Sequence, residues 1–558
     1  MTELYKKHKG TLEKAIEVCR KRYSWSPFID NPSAKIHGEE ALKNGKAAFE
    51  AHLGRSFDLD QPGTIGRVGH EISPYTQAPL NIDYPKADVD QLFSAAKAAL
   101  PAWRDAGPAA RAGVIIEILT RLSQETFENA FATMHTAGQS FPMAFAGSGS
   151  NALDRGMEAL AHAMIAQREV PENALWEKNF GKDTIRLQKD YRLMPRGVGL
   201  VICCATFPAW NAYPAMVASL ATGNPVIVKP HPNGILPMAI AVRRFREILN
   251  DCGFDPNLVL LAADEISAPV TKQLIHHPGC AIVDFTGSAR FGQWVEENSG
   301  RSLVYTETAG VNSVIVESAH DLTAVITSVA RTLCLFSAQM CTSPQNIYIP
   351  AQGVRDGDRL VPYEEVVERL VAEVKSLSEN IKIAPNLFGA LQSDVSLKLL
   401  EDLEKRGAER GTILKAHHAY DHPDFPQART ATPLMIELDI SDRDFYQEEV
   451  FAPVAFVIKA KNREQALAQA TSDVQTHGAI ASYFYSSDPD FLSSGQNAFA
   501  EAGASLTCNL TGNMPLNFAA AYSDYHVTGL NPAGNACLAD LAFVADRFRI
   551  VQIRYPMS

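Results

Sequence analysis

Cys341 sits in a small, polar stretch, FSAQMCTSPQN, residues 336–346. A thiolate is a strong nucleophile once its pKa is lowered or a base stands beside it. Thirty-four residues earlier, VYTETAGVNSVIV places Glu307 at the end of a short apolar run. A half-buried carboxylate with a raised pKa can take a proton from water. Three further stretches carry residue types suited to a phosphorylated or ribosylated ligand. NPVIVKPHP puts Lys229 directly after an apolar run. DFTGSARFG puts Gly287 and Ser288 where a strand gives way to a helix, whose free N–H groups suit a phosphate. YQEEVFAPV supplies Glu448, Glu449 and Phe451. Each signal also has an ordinary reading: a buried thiol, a solvated lysine, a charged turn, or glycines that punctuate. The spacing at Gly287 and Gly292 is neither a dinucleotide fingerprint nor a phosphate-binding loop with its lysine.

Position in the chain narrows these readings. VGLVICC, PVIVK, NLVLLAA, AIVDFTGS and NSVIVES are short apolar runs of the kind a strand buried on both faces shows. Helical stretches such as ILPMAIAVRRFREILNDCG separate them. The alternation predicts an α/β fold with a parallel sheet and right-handed crossovers, whose ligands sit at the carboxyl ends of the strands. Residues 88–170 carry the three- and four-residue apolar spacing of packed helices. KDTIRLQKDYRLMPRG reads as a strand pair. The first 80 residues look separate: a charged amphipathic helix, then Pro-, Gly- and Asp-rich turns.

Composition excludes several classes. With 558 residues, 46% of them hydrophobic, the chain can bury several cores without disulfides or metals. A net charge of −12 argues against a nucleic-acid partner. The nine cysteines are scattered, with no CxxC and no zinc-type Cys/His spacing, so no metal site is expected. The first residues lack the apolar core of a signal peptide, and no run is long enough to span a membrane. A cytoplasmic protein is expected.

In combination the motifs are more specific. FPAWN, LATGNPVIVKP, FTGS, ETAGVNS, Cys341 and EEVFAPV follow one another in the order found in the aldehyde dehydrogenase superfamily, and the 34 residues from Glu307 to Cys341 agree with that family's spacing. Over roughly residues 85–555 the chain resembles that superfamily. It is most similar to the phenylacetic acid degradation dehydrogenases, through WSPFIDNPSA, MHTAGQSFPMAF and TFPAWNAYPAMVASLATGNPVIVKPHP. The resemblance implies a Rossmann-like cofactor domain, an α/β catalytic domain and a small β oligomerisation element. Residues 1–84 would be an extension packing on the cofactor domain. Residues 85–175 and 196–308 would bind NAD(P), 309–525 would be catalytic, and 176–195 with 526–558 would form a dimer or tetramer contact.

The same resemblance implies the chemistry. Cys341 would attack an aldehyde, hydride would pass to NAD or NADP, and Glu307 would activate water to release the acid. Lys229 would hold the adenosine ribose, Gly287 and Ser288 the pyrophosphate, Glu449 the nicotinamide ribose, and Phe451 the ring. Two positions depart from the family. Thr206 stands where an oxyanion-binding Asn is usual, with Asn211 five residues on, so either could serve. Pro232 replaces a Glu that receives ribose hydroxyls, which, with His231 and Lys229, favours NADP over NAD. The expected substrate is an aldehyde of aerobic phenylacetate breakdown, either a ring-opened CoA-linked semialdehyde or an aromatic aldehyde. The chain leaves no room for the fused hydratase of related bifunctional proteins, so ring opening would need a separate protein. Two alternatives are a CoA-acylating dehydrogenase, against which Glu307 argues, and a catalytically silent binding protein on the same scaffold.

Overall fold

The computed structural model describes residues 3–557. The charged amphipathic start is a helix, α1 (Glu3–Lys21), whose apolar stripe of Leu12, Ala15, Ile16 and Cys19 is buried. It lies on α2 (Gly107–Ser123) and α3 (Asn151–Arg168). Gly113 permits the approach: a Cβ there would come within 2.6 Å of the Tyr5 nitrogen. The rest of the first 87 residues forms short helices and a two-stranded ribbon, Thr64–Val68 with Tyr84–Ala87.

The apolar runs form a five-stranded parallel sheet: β1 (Val198–Ile202), β2 (Val226–Lys229), β3 (Val259–Leu261), β4 (Cys280–Thr286) and β5 (Leu303–Glu307), in the order β3-β2-β1-β4-β5. β1 and β2 are buried throughout, because helices cover both faces. α4 (Pro208–Ala221) follows β1, α5 (Leu236–Asp251) follows β2, and α6 (Ala289–Asn298) follows β4. The extension reaches this sheet's edge. The Gln61 amide donates to Leu261 O and accepts from Leu261 N, both at 2.9 Å, as a neighbouring strand would.

A second sheet of seven strands follows: β6 (Ser313–Val316), β7 (Asn346–Pro350), β8 (Thr412–Lys415), β9 (Leu434–Asp439), β10 (Val454–Ala460), β11 (Ala481–Tyr485) and β12 (Ser505–Cys508). Its order is β8-β9-β10-β7-β6-β11-β12, parallel except for the β8–β9 pair. α7 (Leu322–Cys334) leads from β6 to the Cys341 segment.

The expected strand pair near residues 176–195 is a hairpin, Asn173–Phe180 with Asp183–Pro195, joined by the C-terminal strand Phe548–Pro556. KDTIRLQKDYRLMPRG is therefore one long strand rather than two. Leu175, Phe180, Ile550 and Tyr555 project from this ribbon into solvent. The C-terminal half of the expected oligomerisation element divides. Residues 548–556 join the ribbon, whereas His526 and the segment around Gly534 run against Glu307. Among the described residues no helix is long and apolar enough to cross a membrane.

Candidate active site

Cys341 is delivered by a strained turn. After α7, Phe336, Ser337 and Ala338 lie at φ of 51°, 49° and 53°. For side chains with a Cβ this costs about 1–2 kcal/mol per residue, so the surroundings must impose it. They do so by burial and by the Ser337 hydroxyl, which donates to Phe388 O at 3.2 Å. Beyond the turn, Asn312 fixes the backbone around Cys341. Its Nδ2 donates to Cys341 O (2.8 Å) and Ser343 O (3.0 Å), and its Oδ1 accepts from Ile480 N and Ala481 N, each at 3.0 Å. Tyr483 donates to Thr342 O at 2.8 Å. Among the described residues the Cys341 N–H donates to no carbonyl.

Glu307 ends β5, buried, and reaches the cysteine through a residue the sequence did not single out. His526 Nε2 lies 2.9 Å from Glu307 Oε1 and 3.4 Å from Cys341 Sγ. The three donor atoms lie within 4.8 Å of one another. The 2.9 Å contact is a hydrogen bond, and groups bonded to each other share protons rather than converge on an ion. Glu307 Oε2 is buried without a protein partner. Burial, then the charge of Glu307, pushes the Cys341 thiol well above its ordinary range. No local motif marks His526. It arrives 185 residues after Cys341 in sequence, and only the fold reveals it.

Two cavities meet at Cys341. The larger, about 790 Å³, is lined by Thr206, Asn211, Lys229, His231, Gly287, Ser288, Glu449 and Phe451. Every expected site residue except Glu307 thus faces one space with Cys341. Ser288 caps α6 without a side-chain bond, leaving free N–H groups at the cavity wall. Glu449 is pushed up to about 7 by burial. Lys229 is not free. Its Nζ lies 2.7 Å from Asp264 Oδ1, an ion pair off the ideal hydrogen-bond direction, and it also donates to Pro230 O. Burial lowers His231 to about 4, so at neutral pH it carries no charge. The groups lining this cavity would fit a pyridine nucleotide: a buried lysine, an uncapped helix start with free N–H groups, and a buried carboxyl.

The smaller cavity, about 310 Å³, lies on the other side of the sulfur. Met143, Phe207, Trp210 and Phe518 give it an apolar wall, and Asn151, Asn386 and Asn517 supply amides. Among the described residues no lysine, arginine, aspartate or glutamate lines it. Asn211 lines both cavities. Its Nδ2 meets only the Cys204 sulfur at 3.6 Å, and its Oδ1 is unpartnered. Thr206 lines the larger cavity alone, and its carbonyl accepts from Gln139 at 2.7 Å.

Comparison with known proteins agrees with this geometry. The aldehyde dehydrogenase family pattern matches residues 69–505. A crystal structure of an NAD-dependent aldehyde dehydrogenase from Burkholderia multivorans superposes with a TM-score of 0.97 at 44% identity, covering 100% of both chains. The 1-pyrroline-5-carboxylate dehydrogenase of Bacillus subtilis is 25% identical over 460 residues, 80% of this chain and 84% of that one. A Thermus 1-pyrroline-5-carboxylate dehydrogenase with bound NAD shares the fold, with a TM-score of 0.74 at 20% identity, covering 96% of this chain and 99% of that one. Fold, motif order and match together place this chain in the aldehyde dehydrogenase family.

Proposed function

We propose that the protein oxidises an uncharged, largely apolar aldehyde to the free acid through a thioester on Cys341, with NAD preferred as cofactor. The observation that carries this reading is the position of Cys341, where an apolar cavity and a nucleotide-sized cavity meet beside a buried Glu307. An aldehyde in the smaller cavity presents its carbon to Sγ. The Cys341 N–H and Asn211 Nδ2, both without strong partners, receive the developing oxyanion. Such a donor, when removed, costs about 10²–10³ in rate in comparable sites. Glu307 Oε2, buried and unpartnered, holds the water that releases the acid. A bound pyridine nucleotide supplies the acceptor for the hydride. Lys229, Ser288, Gly287, Glu449 and Phe451 hold that cofactor.

The preference for NAD reverses the expectation drawn from Pro232. Asp264 supplies a carboxylate beside Lys229 and neutralises it, while His231 is uncharged. A 2′-phosphate would therefore meet no free cation from these three groups and one nearby carboxylate. The name of the Burkholderia relative points the same way.

For the substrate, a carboxylate such as the pyrroline relatives' name denotes would find no lysine or arginine in the smaller cavity among the described residues, and His526 there already faces Glu307. An aromatic aldehyde such as phenylacetaldehyde fits its apolar wall, in keeping with a role in phenylacetate breakdown. A CoA-linked semialdehyde is the second reading, because its aldehyde end is also uncharged. Steady-state assays decide among them, using phenylacetaldehyde, an anionic semialdehyde and a CoA-linked aldehyde with each cofactor. Free acid is the expected product from phenylacetaldehyde and NAD. Acyl-CoA formation, or selective turnover of the anionic aldehyde, would overturn the reading. The apolar residues projecting from the C-terminal ribbon fit burial against a second copy of the chain.

A further inference from the structure

We propose that His526, paired with Glu307, is the base that takes the thiol proton of Cys341 and later returns it. The inference rests on the thioester reading above and adds a residue to it. The geometry singles out one nitrogen. Nε2 lies between the sulfur at 3.4 Å and Oε1 of Glu307 at 2.9 Å. There it can accept the hydrogen of the thiol, and once the proton has moved the N–H faces both the thiolate and the carboxylate.

The ring is held for this task. His526 exchanges backbone hydrogen bonds with Leu538, at 3.0 and 3.1 Å. Trp210 stands edge-on to the ring at 4.7 Å. The next residue, Val527, is buried at φ 60°. A β-branched side chain is a genuine outlier there, and such strain gathers at functional sites. The loop before it is tied down by Arg155, fully buried, which donates to Asp524 O and Ala519 O and lies over the Trp210 ring.

The electrostatics require such a partner. Cys341 feels burial and the acidic side chains of Glu307 and Glu449, with Cys204 close by. Tyr483 and Cys537 stand on the adjoining elements, neither with a positive charge to offer. Arg155, which lies over the Trp210 ring, is already paired with Glu158. A thiolate is stabilised here if its proton stays close as a positive charge. His526 provides that charge, and Glu307 balances it.

The proton count closes. The S–H bond breaks and an N–H bond forms on Nε2, giving a thiolate and an imidazolium beside the Glu307 carboxylate. The thiolate forms the carbon–sulfur bond with the aldehyde; the aldehyde C–H bond then breaks, its hydride leaving to the pyridine nucleotide of the proposed reaction, and the acyl thioester remains. In hydrolysis, water gives its proton to Glu307 and its oxygen to the acyl carbon. The carbon–sulfur bond breaks, and the departing sulfur takes back the Nε2 proton. Glu307 then releases its proton to solvent.

The test reads the thiol directly and needs no aldehyde. The pH profile of Cys341 alkylation by iodoacetamide is measured by peptide mass spectrometry in the cofactor-free enzyme, in chelator-containing buffer, for wild type, His526→Asn and His526→Ala. Folding is checked by circular dichroism and nucleotide binding. Expected is an alkaline shift of at least about one pH unit in both variants, hence labelling about tenfold slower at neutral pH. Free imidazole should restore the rate in His526→Ala, which a merely structural role would not allow. Wild-type profiles in both variants, or slowed labelling without imidazole rescue, would overturn the proposal. If the profile shifts but wild type turns over no aldehyde, the proposed function fails and the proton assignment stands.

Discussion

Asn312→Ala isolates the clamp on the nucleophile. The side chain makes four hydrogen bonds, two to carbonyls in the Cys341 segment and two from the Ile480 and Ala481 N–H groups at the start of β11. Asn312 is buried, so water does not replace them freely. At about 1 kcal/mol net per bond, with more for a donor left unpaired, truncation should cost about 4 kcal/mol. That is a large part of the roughly 5–15 kcal/mol that holds a domain together, yet short of all of it. The variant should fold at low temperature and lose activity well below its unfolding midpoint, because Cys341 is no longer fixed. Asn312→Asp separates the two halves. It keeps an acceptor for Ile480 and Ala481, but it repels the Cys341 and Ser343 carbonyls and adds negative charge near a thiol already pushed high. It should therefore lose more activity per unit of lost stability than the alanine variant. Urea unfolding alongside aldehyde oxidation reads both. Alanine at 312 with wild-type kcat and a stability change under about 0.5 kcal/mol would refute the reasoning.

Three further outcomes are expected. Asn211→Ala should lower kcat by about 10²–10³ while Thr206→Val changes it little, because only the Asn211 amide lines both cavities and lacks a strong partner; equal losses in the two variants would contradict this. Asp264→Asn frees Lys229 and should raise kcat/KM with NADP relative to NAD about tenfold; an unchanged ratio in a two-cofactor assay would show that the pair does not set cofactor choice. Glu71 accepts hydrogen bonds from Ile235 N, Leu236 N and the Tyr84 hydroxyl, and burial pushes it up to about 7 from an ordinary 4.5. Between those values the folded chain keeps a proton that the unfolded chain has lost, so stability should fall as pH rises from about 4.5 to about 7. Glu71→Gln should flatten that slope in urea titrations, and an unaltered slope would assign it to other groups.

Much of this site lies in local sequence. Lys229, Ser288 and Glu307 each stand at or just past the carboxyl end of a strand whose mainly apolar run is visible in one dimension. A parallel sheet then brings those ends to one edge without any knowledge of side-chain contacts. The residues that were hidden arrive by another route. His526 comes from an irregular segment between Cys508 and Leu541 that carries no periodic pattern, and its meaning lies in contacts to Cys341 and Glu307, both far away in sequence. Asp264 follows β3, the shortest strand of its sheet, and its pairing with Lys229 is a relation between two strand ends. Pro232 alone therefore does not reveal the carboxylate that stands beside Lys229. The role of the first 87 residues was also illegible, because Gln61 and Glu71 act by completing another element's hydrogen bonds, at a strand edge and at the start of α5.

The central claim is that an acyl group rests on Cys341 until Glu307 brings water to it. Intact-mass spectrometry of Glu307→Gln, mixed with phenylacetaldehyde and NAD, tests it most directly. One acyl group per chain, mapped to Cys341 and formed with a single burst of NADH, is the predicted result. Continued turnover with no adduct, or an adduct on any other residue, would contradict it.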